Sequence, residues 1–570
     1  MNRNTESHFA NTPSIGISRS KFDRSFTHKG TANTGDLFPI YCDCTIMPGD
    51  TVKMRASELI RMMTPITPVM DNCFADIYFF FVPYRLIWEH FREFMGENTT
   101  EPWKQKVEYE IPQVVAPETG WKKGDLMDFL GYPTKIGGYK GSALPGRAYA
   151  LIWNEWFRDQ NLKDPCYIYM GDSDTTGASK VDLGSSYDYV TDTIKGAGLC
   201  KAAKFHDYFT SCLPEPQKGP AINIPLGKTA PIIGTDDVNT GSTVYNSLVG
   251  EQLQAEYFSA GGATGFTVAD SETGLDAMRT SGTTLGLAAD LSSAVGATVN
   301  QLRQAFAIQK FYEKQALGGT RYIEMVKAHF SVTNPDFRMQ RPEYLGGQRI
   351  VINMNQVIQT TPTGTDLTAV YTEDPETHKE VLTWENAPLT PQGNASAYSV
   401  TSGKQEDLFT HSFTEHGIMM GLCTIRTTHT YQQGLNAQYS KKKFTDFYFP
   451  VFANLGNQPV YEKELYLQGT NDDETVFGYQ EAWATERYFP DIVTGEMRSN
   501  YDQPLDVWHY ADNYESVPNL SSEWIDETEV NVARTLAVQD HDQFMFDMYF
   551  APIYTRPMPL WSIPGLIDHH

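Results

Sequence analysis

Cys73-Phe-Ala-Asp-Ile-Tyr-Phe-Phe-Phe-Val82 is nearly continuous in aromatic and β-branched residues, and Pro83 ends it. A run of that length and composition is a strand. Because it lacks polar alternation, it must be covered on both faces, between two packed sheets or under an insertion. Upstream, Leu37-Phe-Pro-Ile-Tyr-Cys-Asp-Cys-Thr-Ile46 reads as another strand and Met47-Pro-Gly-Asp50 as a turn. Downstream, Tyr84 to Met95 follows helical spacing through Leu86, Ile87, Phe91 and Phe94. A second short helix is expected over Arg147 to Asp159. A longer one carries Val299, Leu302, Phe306, Ile308 and Phe311 and is stopped by Gly318-Gly319, and Tyr322 to Phe330 continues as another. Gly417 to Tyr431 and Phe444 to Phe452 are expected as strands. In 541–550, Phe544, Phe546, Met548 and Phe550 alternate onto one face of a half-buried strand. The expected class is all-β, a sandwich with helices carried in long connections.

Bulk composition agrees. The chain has 570 residues, 41% hydrophobic and 13% aromatic, with 32 Pro and 44 Gly, enough for a large core of short strands joined by turns. The balance of 45 Lys+Arg against 70 Asp+Glu gives −25, which repels a phosphate backbone and excludes a general nucleic-acid binder. The seven cysteines are too sparse for a disulfide framework and fit a reducing compartment. Met1 to Ala10 lacks the apolar run of a secretory signal, and no stretch is apolar enough to span a membrane. Assembly in a cytoplasm is the expectation.

Two segments stand apart. Residues 1–36 are polar and read as an extended N-terminal arm, mildly basic through Arg3, Arg19, Lys21, Arg24 and Lys29. The rest, 37–570, reads as a single domain interrupted at about 170–297, where Gly, Ser, Thr, Ala and Asp dominate. So long a loop-like stretch is a surface insertion, with internal strands expected around Ala221 to Leu226.

A search for chemistry finds little. Leu226-Gly-Lys-Thr229 lacks the upstream Gly of a phosphate loop, Ile222 standing in its place. The Gly-rich run near Gly261 lacks a βαβ context. Cys42 and Cys44 point the same way from a strand but have no second pair, and are ordinary strand residues. His411 and His416, and His541 between Asp540 and Asp542, do not have zinc-site spacing. No catalytic residue, metal or cofactor is expected. Lys441-Lys-Lys443, followed by Phe444, Phe447 and Tyr448, is the sharpest basic cluster. It reads as a solvated strand edge or as a groove for single-stranded nucleic acid.

Longer motifs carry a resemblance. They include Arg19-Ser-Lys-Phe-Asp-Arg-Ser25, Thr64-Pro-Ile-Thr-Pro-Val-Met-Asp-Asn72, Val82-Pro-Tyr-Arg-Leu-Ile-Trp88 and Leu151-Ile-Trp-Asn-Glu-Trp-Phe-Arg-Asp-Gln160. Gly318-Gly-Thr-Arg-Tyr-Ile323, Gln340-Arg-Pro-Glu-Tyr-Leu-Gly-Gly347, Phe413-Thr-Glu-His-Gly417 and Tyr431-Gln-Gln-Gly434 follow. Last come Val476-Phe-Gly-Tyr-Gln480, Leu505-Asp-Val-Trp-His509 and Arg556-Pro-Met-Pro-Leu-Trp-Ser-Ile-Pro-Gly-Leu-Ile-Asp568. In this order, the chain resembles the major capsid proteins of microviruses, small icosahedral phages with single-stranded DNA, and especially their gokushovirus branch. The resemblance implies an eight-stranded antiparallel jelly roll with long inter-strand insertions, self-assembled into a T=1 icosahedral shell around circular single-stranded DNA. It implies that the 170–297 insertion is a threefold protrusion meeting a host cell-surface receptor. A small basic DNA-binding virion protein and a pilot or minor virion protein are the implied partners. Arg3, Arg19, Lys21, Arg24, Lys29, Lys441, Lys442 and Lys443 are the candidate DNA-facing residues. The acidic and aromatic composition taken alone also fits a carbohydrate-active β-sandwich, either hydrolase or binding module.

Overall fold

The computed structural model describes residues 18–98, 107–220, 222, 299–358, 393 and 395–561, the side chains of 405 and 406 excepted. It also describes the backbone of short strands within 232–289 and 367–386. The chain divides into two compact units, one built from residues 1–216 and 318–570, the other Gln217–Leu317.

Ten strands organise the first unit: β1 (Ser20–Asp23), β2 (Phe26–Ala32), β3 (Leu37–Ile46), β4 (Thr51–Met62), β5 (Cys73–Pro83), β6 (Glu343–Val351), β7 (Thr401–Ser412), β8 (Gly417–Thr427), β9 (Phe544–Phe550) and β10 (Ile553–Arg556). One antiparallel sheet runs β6-β5-β8-β3. The other pairs β4 with β7 on one side and with β9 and β10 on the other, and β9 and β10 pair in turn with β2 and β1. β1 and β2 are broken only at Arg24-Ser25, opposite the break between β9 and β10 at Ala551-Pro552, and the Arg24 N–H donates to the Pro552 carbonyl across the gap (3.2 Å).

The sheets pack face to face through aromatic rings. Phe38 of β3 stacks on Phe546 of β9 at 5.2 Å, and Phe79 of β5 meets Phe409 of β7 and Phe550 of β9 at 5.4 and 6.0 Å. Each buried ring contributes about 2–3 kcal/mol of transfer free energy. The opposite face of β5 is covered by a helix, Leu144–Ile152, and the wider π-turn that continues it, Trp153–Phe157, with Phe80 against Trp156 and Tyr78 against Phe157. Both faces of the aromatic run are therefore covered, as its composition requires. β4 and β9 instead alternate between buried and exposed positions.

Several expectations change. The described part of the arm is extended, but it is paired into the sheet as β1 and β2; Arg3 lies outside the described residues. Tyr84–Met95 is a 3-10 turn followed by one helical turn, Phe91–Phe94. Gly417–Tyr431 is a strand only to Thr427. Phe444–Phe452 is not a strand: 3-10 turns at Phe444–Asp446 and Pro450–Phe452 replace it, because Asp446 caps the first and Pro450 starts the second. The compositional break near 170 and the structural break at 217 do not coincide, since Ile194, Leu199 and Cys200 belong to the core of the first unit. The helices Val299–Leu317 and Tyr322–Phe330 form as expected. In the second unit Gln254–Ala260, Ala263–Ala269 and Asp276–Thr280 make an antiparallel meander, and Ile232–Gly234 pairs with Leu287–Ala289. Strands expected at Ala221 to Leu226, and the Leu226–Thr229 and Gly261 motifs, lie outside the described residues, Ile222 excepted.

Candidate functional site

The basic residues singled out in the sequence fall in two places. Arg19, Lys21, Arg24 and Lys29 lie on or beside the edge strands β1 and β2, whereas Lys441–Lys443 lie on the loop that follows Gly434. Most already have carboxylate partners. Arg24 donates from Nη1 to Asp43 (2.7 Å) and lies over the Tyr554 ring. Asp43 also accepts from the Tyr554 hydroxyl, which is hydrogen-bonded to Tyr41. Burial works against the Arg24 charge, but the Asp43 carboxylate outweighs it and the guanidinium is held above its ordinary value. Arg24 thus pins the edge strand to β3 and β10. Lys29 lies 3.6 Å from Asp547, Lys441 pairs with Glu486, and Lys442 lies 3.6 Å from Glu474. Lys21 and Arg19 are exposed. The start of the lysine-bearing loop, Gly434 to Tyr439, borders a cleft of about 270 Å³ lined by Tyr208, Tyr431, Tyr439 and Tyr488, with Glu464 and Asp491 in its wall. The rings suit stacking, but the carboxylates repel phosphate.

Several of the motifs that carry the resemblance dock on one another. Arg85 of the Val82–Trp88 motif clamps Glu415 of Phe413–Gly417 through Nε and Nη2 (2.6 and 3.1 Å). Gln160 of Leu151–Gln160 accepts from the Thr320 and Arg321 N–H groups of Gly318–Ile323, and Arg321 Nη2 donates to the Asn154 carbonyl (2.6 Å). Arg341 stacks 3.9 Å from the Trp156 ring centroid. In Tyr431–Gly434, Tyr431 donates to Asp207, Gln432 and Gln433 reach the 512–514 segment, and Gly434 passes so close to the Glu464 carbonyl that any Cβ would stand 1.8 Å from it. These residues tie long connections to each other.

Among the described residues a dense ionic cluster is also internal, and the sequence does not announce it. His429 Nδ1 donates to Asp512 (3.0 Å) and Nε2 to Glu527 (2.9 Å), with Lys204 3.9 Å from Asp512 and Asn531 donating to it. Burial would lower the His429 pKa, but the Asp512 and Glu527 charges overcome it and push it up to about 10. Asp512 is held well below the usual carboxylate range: burial opposes ionisation, and His429 and Lys204 more than compensate. Both imidazole nitrogens are committed as donors, so this histidine is a buried cation rather than a proton carrier. A second internal site is Asp76 in β5, which accepts from Arg349 (2.6 and 3.0 Å) and Arg426 (2.6 Å). His411 lies 3.5 Å from Glu343. Cys42 and Cys44 share a face, their sulfurs 3.9 Å apart.

The comparisons fit a chain built to hold its own loops. The family described as capsid protein (F protein) matches residues 10–566. Capsid protein VP1 of Bdellovibrio phage phiMH2K is 38% identical, over 99% of this chain and 98% of that protein. Capsid protein VP1 of Spiroplasma virus 4 is 39% identical, over 94% and 93%, and that of Chlamydia phage 1 is 35% identical, over 98% and 97%. A carbohydrate-active enzyme is thereby set aside, and the chain belongs to the phage capsid protein (F protein) family.

Proposed function

We propose that this capsid protein is the major subunit of a T=1 icosahedral virion shell enclosing circular single-stranded DNA, assembled in the host bacterial cytoplasm, and that its strands are wound as an eight-stranded jelly roll. The observation that carries the reading is the pairing order. Counting β1 with β2 and β9 with β10 as single interrupted strands, first pairs with eighth, second with seventh, third with sixth and fourth with fifth. A ribbon folded back on itself and rolled into two sheets gives that order, and viral capsid domains use it.

The expected insertion at about 170–297, which overlaps the compact unit Gln217–Leu317, is the outward, host-attachment surface in this reading, since it is composed unlike the rest of the chain. Arg3, Arg19, Lys21, Arg24 and Lys29 remain the candidates for the DNA side, while Lys441–Lys443 border an exposed apolar loop that suits a protein partner. With −25 on the chain and Arg24, Lys29, Lys441 and Lys442 already paired, DNA neutralisation falls to a small basic virion protein. A pilot or minor virion protein and a host receptor complete the partners. Electron cryomicroscopy of particles from cells making this chain, with and without a basic partner, tests the reading. T=1 shells that hold ordered DNA only with the partner are expected; soluble monomers, or normally filled particles of this chain alone, would overturn it.

A further inference from the structure

The loop Lys441–Leu455 carries apolar surface that the fold does not use. Every residue from 442 to 456 except Asp446 and Phe452 is exposed, including Phe444 at 75% and Val451 at 88%, with Phe447, Tyr448 and Phe449 between them. The loop is nonetheless firmly held. Asp446 accepts from the Lys442 and Lys443 N–H groups (2.8 Å each), the Trp483 indole donates to the Phe452 carbonyl (2.8 Å), and Tyr448 meets the Trp483 ring edge-on at 5.5 Å. Its rings are therefore presented to solvent by a built scaffold.

We infer that this loop is a subunit contact, and that its occupant is an acidic surface on a second copy of this chain. The inference rests on the shell reading above. A contiguous apolar patch with a charged rim is the anatomy of a protein interface, and aromatic anchors at its centre carry most of the binding energy. The rim here is basic, through Lys441, Lys442 and Lys443, while the chain as a whole stands at −25, so another copy supplies the complementary charge. The lysines' present partners, Glu486 and Glu474, are on the surface and readily exchanged. DNA is disfavoured as occupant because Val451, the most exposed of these residues, offers a base no ring to stack on.

The test is assembly of the full chain, with the wild type first shown to form particles; failure at that step would sink the shell reading itself. Val451→Asp is expected to raise the protein concentration needed for half-maximal assembly roughly tenfold or more, the fold-change of losing one interface anchor. The unassembled chain should melt as the wild type does, and Val451→Leu should assemble normally. Particles of Val451→Cys labelled with a thiol-reactive photo-cross-linker should yield chain dimers on illumination, above the wild-type background from native cysteines. Normal assembly of Val451→Asp would overturn the inference. So would normal assembly with reduced DNA content, which would assign the loop to nucleic acid. If Val451→Asp misfolds, the cross-link decides, and its absence would refute the contact.

Discussion

Two stretches of this chain are nearly equal in aromatic content and opposite in fate. Phe79, Phe80 and Phe81 of β5 are almost fully buried, whereas Phe444, Phe447 and Phe449 stand in solvent. Composition does not separate them. Backbone partners do: β5 has β6 and β8 hydrogen-bonded along its two sides, a second sheet on one face and a helix on the other. Residues 444–452 are folded into short turns, one capped by Asp446 and the other started by Pro450, and have no ladder at all. Apolar residues in β5 stabilise the subunit; those in the loop do so only when something else covers them.

The sharpest way to break the contrast is Phe79→Ala. That ring touches Tyr41, Phe409 and Phe550 across the two sheets, so its loss leaves a cavity between them. A destabilisation of about 4–5 kcal/mol is expected, read as a lower urea midpoint of the unassembled chain. A loss below about 1 kcal/mol would mean that the sheets do not pack as described.

Next comes the anchor between the two stretches. His429 sits two residues past the end of β8, where the chain leaves the sandwich toward the loop, and it is held between Asp512 and Glu527. His429→Ala leaves two buried carboxylates facing each other, at a cost of about 3 kcal/mol. The pH dependence has a definite sign. The folded pKa, about 10, lies above the unfolded one, so the histidine's contribution is complete below about pH 6.5 and is lost as pH rises through 10. Equilibrium unfolding of wild type and variant from pH 6 to 10 should show the gap closing toward alkaline pH. A gap that widened would refute the buried imidazolium.

How far the sequence shows these features follows from their range. β5 and β9 are legible because a continuous run and a two-residue alternation are local signals. The family motifs are legible as words, but that Arg85 meets Glu415 and Gln160 meets Thr320 requires the fold. The His429 cluster joins residues 83 and 98 apart, with nothing periodic between them. Phe444 to Phe452 has the composition of a strand, and only the absence of a pairing partner undoes that. β4 alternates through Val52, Met54 and Ala56 and then places Glu58 at the next inward position, a charge where the pattern calls for an apolar residue.

Glu58 offers a smaller effect of opposite sign. It is buried, both its oxygens lack a well-formed hydrogen bond among the described residues, and burial raises its pKa. A carboxyl whose folded pKa lies above its unfolded one subtracts stability as pH rises past the unfolded value. Glu58→Gln should therefore stabilise the chain by about 1 kcal/mol at pH 7 and by nothing measurable near pH 3. A loss of stability at pH 7 would show that the carboxylate has a partner the substitution removes.

The smallest effect is the most telling for the contrast. Phe444→Ala removes the same ring as Phe79→Ala, but from a site where water already covers three quarters of it. No cavity forms, the cap from Asp446 survives because it uses backbone N–H groups, and the 3-10 turn tolerates alanine. The unassembled chain should unfold within about 0.5 kcal/mol of wild type, the range of ordinary surface substitutions. Calorimetry on unassembled protein checks this, at a concentration too low for particles to form. A loss approaching that of Phe79→Ala would mean that the ring packs against its own chain, and the two aromatic stretches would then differ in exposure but not in purpose.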